Sequence, residues 1–523
     1  MGEVGAFLRI ERVNNPERDP RERKEDFREF VETLPVPQLQ EQGARCMECG
    51  VPFCHNGCPL GNLIPDWNDL VYRDRWRDAI DQLHATNNFP EFTGKLCPAP
   101  CEAACVLEIR EGDAVSIKQI EVSIINRAWD EGWVVPRPPA FETGRTVAVI
   151  GAGPSGLAAA QQLRRAGHTV TVYERDEAPG GLLRFGVPDA KLEKWIIDRR
   201  LKLLEQEGII FECGVDAGRD ISVEELRHRH DALVIAIGSR MPRGLDVPGS
   251  ELQGVHPAMD YLYQRNRWVA REQGRSTVEP ALGTEISAKG KRVVVVGGGD
   301  TGMDCVSNAL REGAEDVQML DVYPELPPSG RLAGTPWPLP PKRTLTTYAL
   351  EEGGERRWAS QVTEVVGRDG RVAGVRARKV EGTSSRDLKA VPGSEFEQET
   401  DLVLVAIGFT HPEHEGLVES LGVDLDSRGN VRAPVYGTFL EGVFACGDAR
   451  IGQSLVVTAI AEGRRCARIV DRHLGGTGIA LPVRAEEMFV YEDDDPGSLR
   501  HQAETAGNVT VGDAFWAGPR DPA

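Results

Sequence analysis

The sequence contains no apolar run approaching the ~18 residues of a membrane span, and Met1 to Arg12 carry no apolar core of the secretory-signal kind. A membrane partner is therefore not expected, and a cytoplasmic address is. The chain also lacks basic excess: 61 Lys and Arg stand against 81 Asp and Glu, for a net charge of -20. Without clustered cations to neutralise phosphates, no nucleic-acid partner is expected. Cysteine is scarce, eleven in 523 residues, which excludes a disulfide scaffold. The apolar (40%) and charged (27%) fractions are ordinary for a globular protein, and the length requires several domains.

What is present is unevenly distributed. Residues 1–45 are polar and punctuated by Pro16, Pro20, Pro35 and Pro37, and the mixed-sign run Glu17 to Glu29 reads as a solvated arm or helix face. From Cys46 to about Trp133 the periodicity is helical, with amphipathic segments Trp67 to Leu83 and Val115 to Trp129, until the Pro-rich linker Val135 to Ala140. Two similar units follow. Each has a short apolar strand, a glycine-rich turn, a helix and a second strand; the first starts at Thr146 and the second at Arg292. Each later repeats an apolar strand ending in Ala-Ile-Gly, at Ala236 to Gly238 and Ala406 to Gly408. After Ala485 the acidic tail reads as an extension outside the core folds.

In the first turn, Gly151 permits a tight bend, Gly153 lets backbone N–H groups approach a pyrophosphate, and Gly156 lets helix and strand pack closely. Glu174 ends the next strand, where an acid accepts from a ribose 2′-hydroxyl. The second turn repeats the construction with Gly297, Gly299, Asp300, Thr301 and Gly302. Here Asp321 suits a ribose hydroxyl and NADH, whereas Arg331, Lys342 or Arg343 could meet a 2′-phosphate, and both readings stay open.

The segment Thr438 to Asp448, followed by Gln453-Ser454-Leu455-Val456-Val457, resembles the second FAD fingerprint of flavoproteins with two dinucleotide-binding domains. That resemblance assigns Gly447, Asp448, Ser454, Leu455 and Val456 to the flavin. The run Gly180 to Arg184, then Gly186-Val187, is similar to the same family's flavin-contacting loop, and so adds Gly181, Leu182, Arg184, Gly186 and Val187. A helix end at the flavin makes chemical sense, because it stabilises the charge of the reduced ring. The fold implied is α/β, with two Rossmann-like domains and the FAD domain split by the insertion of the other. No Cys-x-x-Cys pair of the thioredoxin-reductase type lies in either domain; Cys213, Cys305, Cys446 and Cys466 are isolated in sequence and read as apolar residues.

The remaining cysteines, Cys46, Cys49, Cys54, Cys58, Cys97, Cys101 and Cys105, are crowded together. Seven thiols suit one closed zinc site badly and iron-sulfur clusters better, with Pro59 and Pro98 beside them. The words Cys46 to Asn62, Thr86 to Gly94 and Leu96 to Cys105 closely resemble the small subunit of bacterial glutamate synthase, and the resemblance runs from about Arg45 to about Pro482.

The resemblance implies an N-terminal helical domain holding two 4Fe-4S clusters, as in the related N-terminal region of dihydropyrimidine dehydrogenase. One cluster would take Cys46, Cys49, Cys54 and Cys105, and the other Cys58, Cys97 and Cys101. Glu121 matches the related enzyme's side-chain oxygen ligand; the competing reading is a surface helix carboxylate. The domains expected are 1–140 for the clusters, 145–250 with 430–485 for FAD, 251–429 for NAD(P)H, and 486–523 as the extension. The family implies NADPH as donor, with NADH open, and a large subunit as electron acceptor. No catalytic side chain is assigned. The alternatives are a stand-alone NAD(P)H reductase of the same architecture and a zinc-binding assembly protein.

Overall fold

The computed structural model describes residues 2–276, 285–332, 334–342, 348–382 and 387–476. Arg343 and the tail 486–523 lie outside them. The N-terminal unit is helical, chiefly Val36–Ala44, Ile64–Tyr72, Trp76–Thr86, Pro90–Leu96 and Ile117–Asp130. Apolar residues three or four apart bury one face of each helix: Ile64, Trp67 and Val71, then Trp76, Ile80 and Leu83. The stretch Trp67 to Leu83 is two helices rather than one. Asp74 breaks it with a φ of 59°, and its carboxylate accepts from Trp76 Nε1 at 2.8 Å.

The solvated arm or helix face expected at residues 17–29 holds for most of the run but not for Arg23. Arg23 is fully buried there, donating to Glu352 and Glu351 at 2.9 Å, to Glu17 at 2.8 Å and to the Tyr348 carbonyl at 2.8 Å. Most of these acceptors lie more than 300 residues away in sequence, so local charge patterning carried no trace of them.

Two parallel sheets carry the rest. In the first the strands run Val443–Ala445, Ala232–Ile235, Thr146–Ile150, Thr169–Glu174, Ile210–Cys213. Its edge strand thus returns from more than 200 residues downstream, pairing Val443 with Leu233. The second sheet runs Val255–Pro257, Leu402–Val405, Arg292–Val296, Asp316–Leu320, Glu355–Arg357, and sits inside the first in chain order. Near-continuous Val and Ile in the central strands reflect burial on both faces. An antiparallel hairpin, Ser360–Arg368 with Arg371–Glu381, is attached to the second sheet's unit.

The helical unit and the first sheet share one core, in which Phe89, Phe92 and Ile120 join Leu157, Leu163 and Leu204. A buried ion pair crosses the same junction, Arg200 to Glu91 at 2.7 and 3.0 Å. These contacts anchor the thiol-bearing helices against the first sheet.

Candidate functional site

The first glycine turn is built by exclusion. A Cβ on Gly156 would lie 1.9 Å from the Gly151 carbonyl oxygen, and one on Gly151, whose φ is 104°, would lie 2.5 Å from that of Ala236. Gly153 faces open space at the start of the helix Pro154–Arg165, leaving its side free for a phosphate. Glu174 is buried at the strand end, and its two carboxylate oxygens accept from the Ala152 and Asp176 amides at 2.8 and 3.0 Å.

The other flavin-loop residues assemble around this turn. Gly181, with a φ of 51°, approaches so closely that a Cβ there would sit 2.9 Å from Gly153 Cα. Gly186 packs under Leu182, and the Val187 carbonyl accepts from Lys194 Nζ at 2.8 Å. Arg184 turns away to the Pro179 carbonyl and Asp198. Gly447 backs onto Ser155, where a Cβ would meet the Ser155 hydroxyl oxygen at 2.5 Å. Next to it, Asp448 accepts from the Ser454 hydroxyl at 2.6 Å, and Leu455 opens the helix Val456–His473. Burial pushes the Asp448 carboxyl up to about 7, only partly offset by Ser454.

The second turn repeats this geometry: Gly302 lies against the Gly297 carbonyl, Gly299 faces open space, and Asp300 and Thr301 begin the helix Asp300–Glu312. Asp321 is buried at the strand end, where Arg356 from the adjacent strand pairs with its Oδ2. The same Arg356 Nη2 donates to the Gly298 carbonyl at 3.1 Å, and the guanidinium lies 3.4 Å from the Trp358 ring centre. Arg331, weighed as a phosphate ligand, points elsewhere: it donates to the carbonyls of Leu339 and Ala103, the latter in the helical unit. Its loop leaves the second sheet and docks on the thiol-bearing helices.

The seven clustered thiols divide in space. Cys46, Cys49, Cys54 and Cys105 line one cavity together with Phe53 and Asn68. Cys58, Cys97 and Cys101 are buried close enough to one another for their charges to interact, and Glu121 acts on Cys97 and Cys101. Burial pushes the Cys46 thiol up to about 11 and the thiols of Cys54, Cys97 and Cys101 further, so ligation must displace protons. Glu121 is no surface carboxylate: it is buried, its Oε1 accepts from Asn87 Nδ2 at 2.9 Å and Thr93 Oγ1 at 2.8 Å, and burial pushes its carboxyl up to about 7. Among the described residues no three His, Cys, Asp or Glu side chains converge as ligands of a single ion. Thiols spread around a cavity suit a cluster better than one tetrahedral zinc. Elsewhere, Cys446 and Cys466, isolated in sequence, are both buried, and the Cys446 thiol is close enough to act on that of Cys466.

Comparison with known proteins agrees with this geometry. The family model described as pyridine nucleotide-disulphide oxidoreductase matches residues 145–463, and that of dihydropyrimidine dehydrogenase domain II, 4Fe-4S cluster, matches 23–133. The small chain of NADPH glutamate synthase from Mycobacterium tuberculosis is 52% identical over 92% of this chain and 99% of its own. The chain belongs to the glutamate synthase small-chain family. The family's small chain from Bacillus subtilis is 43% identical, covering 92% of this chain and 100% of its own. The NADH glutamate synthase of Schizosaccharomyces pombe is 43% identical over 91% of this chain, which spans 23% of that longer protein. Among solved structures, FprA of Mycobacterium tuberculosis in complex with NADPH covers 67% of this chain and 89% of its own at a TM-score of 0.50 and 18% identity, a likeness of fold.

The residues fit the groups that this family's folds imply: two open-faced glycine turns for dinucleotides, a carboxylate and a helix start for the flavin, and two thiol groups for clusters. The sequence reading missed Arg356, because its role depends on a strand pairing between Leu320 and Arg357 that no motif marks. It also missed Asn87 and Thr93 as partners of Glu121, although both lie inside a word singled out for its resemblance.

Proposed function

We propose that this chain is the electron-input subunit of a glutamate synthase, oxidising NADPH through FAD and delivering electrons by way of two 4Fe-4S clusters to a large subunit that makes glutamate from glutamine and 2-oxoglutarate. The observation that carries this reading is that one core joins the strand and helix flanking a flavin-type glycine turn to six of the seven clustered thiols, all but Cys49. Bound FAD would supply the conversion of a two-electron donor into one-electron steps.

The protein's own residues bind, orient and exclude water. Gly151, Gly153 and Gly156 would admit the FAD pyrophosphate, Glu174 would hold the adenosine ribose, and Asp448 would accept from the ribitol, with Leu455 and the helix behind it facing the flavin ring. Cys46, Cys49, Cys54 and Cys105 would hold one cluster; Cys58, Cys97, Cys101 and Glu121 would hold the other. The domain limits that accompany this reading are 1–140, 145–250 with 430–485, 251–429, and 486–523.

Two further points support the finer reading. The two small chains compared are both NADPH enzymes by name, and Arg356 places a positive charge beside Asp321 where a 2′-phosphate would lie. The fission-yeast relative carries the matching region inside a longer glutamate synthase chain, which favours a large-subunit partner over a free acceptor. No described helix is long and apolar enough to cross a membrane, and we place the protein in the cytoplasm.

The test is anaerobic purification with quantitation of FAD, iron and acid-labile sulfide, followed by NADPH-dependent glutamate formation with and without the large subunit. About one FAD and about eight irons per chain, with turnover only when the large subunit is added, is the expected result. FAD without iron, or full activity toward ferredoxin alone, would overturn the reading.

A further inference from the structure

The Pro-rich loop after the second glycine turn is anchored repeatedly on the N-terminal helical unit. The Gly330 amide donates to both carboxylate oxygens of Glu111 at 2.7 and 2.8 Å. Arg331 Nη2 reaches the Ala103 carbonyl at 3.3 Å. Trp337 Nε1 donates to the Cys105 carbonyl at 3.0 Å, and the Trp337 ring packs at 4.6 Å between centres against Phe53. Cys105 and Phe53 both line the cavity shared with Cys46, Cys49 and Cys54.

We infer that Trp337, from the nucleotide domain, is a positioning residue of the cavity formed by Cys46, Cys49, Cys54 and Cys105: it fixes Cys105 and shields one wall from water. The inference rests on the cluster reading above. Cys105 is the member of its group that comes from the second cysteine word, 51 positions after Cys54 by the numbering, so its place relative to the other three depends on tertiary contacts. Its carbonyl already accepts from the Glu108 amide at 2.9 Å, and the indole occupies the second acceptor direction. Partners of this kind orient ligands and tune a centre, and the apolar rings of Trp337 and Phe53 restrict solvent, which sets both potential and lability.

The experiment uses the anaerobically purified full chain carrying Trp337→Phe, which keeps the ring and loses the N–H, and Trp337→Ala, which loses both. Three readouts are taken: bleaching of visible cluster absorbance in air, the EPR spectrum and midpoint potential of the reduced clusters, and the rate of flavin reduction by NADPH. We expect Trp337→Ala to bleach about tenfold faster or more, Trp337→Phe to shift one EPR signal with a smaller change in lability, and flavin reduction to stay at the wild-type rate. Wild-type bleaching and EPR in both variants would overturn the inference. Should Trp337→Ala not fold, Trp337→Phe decides the matter alone by its EPR signal and potential. A wild-type chain with FAD and no iron would instead overturn the cluster reading itself.

Discussion

Arg356 closes an ion pair with Asp321 from the neighbouring strand and at the same time caps the Gly298 carbonyl of the second glycine turn. An acid at this strand end, taken alone, favours a free ribose hydroxyl and repels a 2′-phosphate. With the guanidinium against it, the position is neutralised and carries donors, held flat by Trp358.

Arg356→Gln should therefore weaken NADPH more than NADH. A charge-assisted hydrogen bond contributes about 1.5 to 3 kcal/mol, so KM for NADPH is expected to rise about tenfold to a hundredfold. The KM for NADH should move far less. Equal losses for both coenzymes in steady-state dye reduction would contradict the assignment.

Flavin affinity should depend on pH through Asp448. Its carboxyl, ordinarily near 3.8, is raised to about 7 by burial, so between those values the unfolded chain releases a proton that the folded apoprotein keeps. Stability of the apoprotein thus falls as pH rises across that window. A hydroxyl donor from bound FAD favours the ionised form, and FAD affinity should rise through pH 7. Asp448→Asn should flatten both profiles, read by thermal melting of apoprotein and by fluorescence titration with FAD.

The second thiol group offers a stoichiometric test. Cys101→Ala is expected to halve the iron from about eight to about four per chain while NADPH-dependent dye reduction persists. Glu121→Ala should do the same if its carboxylate ligates, and Glu121→Gln should retain most of the iron. Full iron in Glu121→Ala would leave Glu121 as the acceptor for Asn87 and Thr93 alone.

The N-terminal arm should prove structural. Arg23 and Glu352 are both fully buried, and Arg311 shares the same carboxylate. Removing one member of such a pair costs about 3 to 5 kcal/mol. Arg23→Ala should lower the melting temperature of the nucleotide domain and open the arm to limited proteolysis. An unchanged melt would mean that the arm is held by its other contacts.

By itself the sequence determined the fold class and marked the glycine turns and the crowded cysteines as candidate sites, because glycine turns, apolar strand runs and clustered thiols are set by local backbone sterics and by side-chain chemistry at short spacing. Gly156 must be glycine wherever that turn occurs, since the Gly151 carbonyl leaves no room for a Cβ. Only the tertiary structure decided that Arg23 is buried, that Arg331 serves the helical unit rather than a phosphate, that Arg356 pairs with Asp321, and that Trp337 touches Cys105. Each of those depends on partners brought together by sheet pairing or domain docking, and a charge or an indole in the chain carries no local mark of the partner that will meet it.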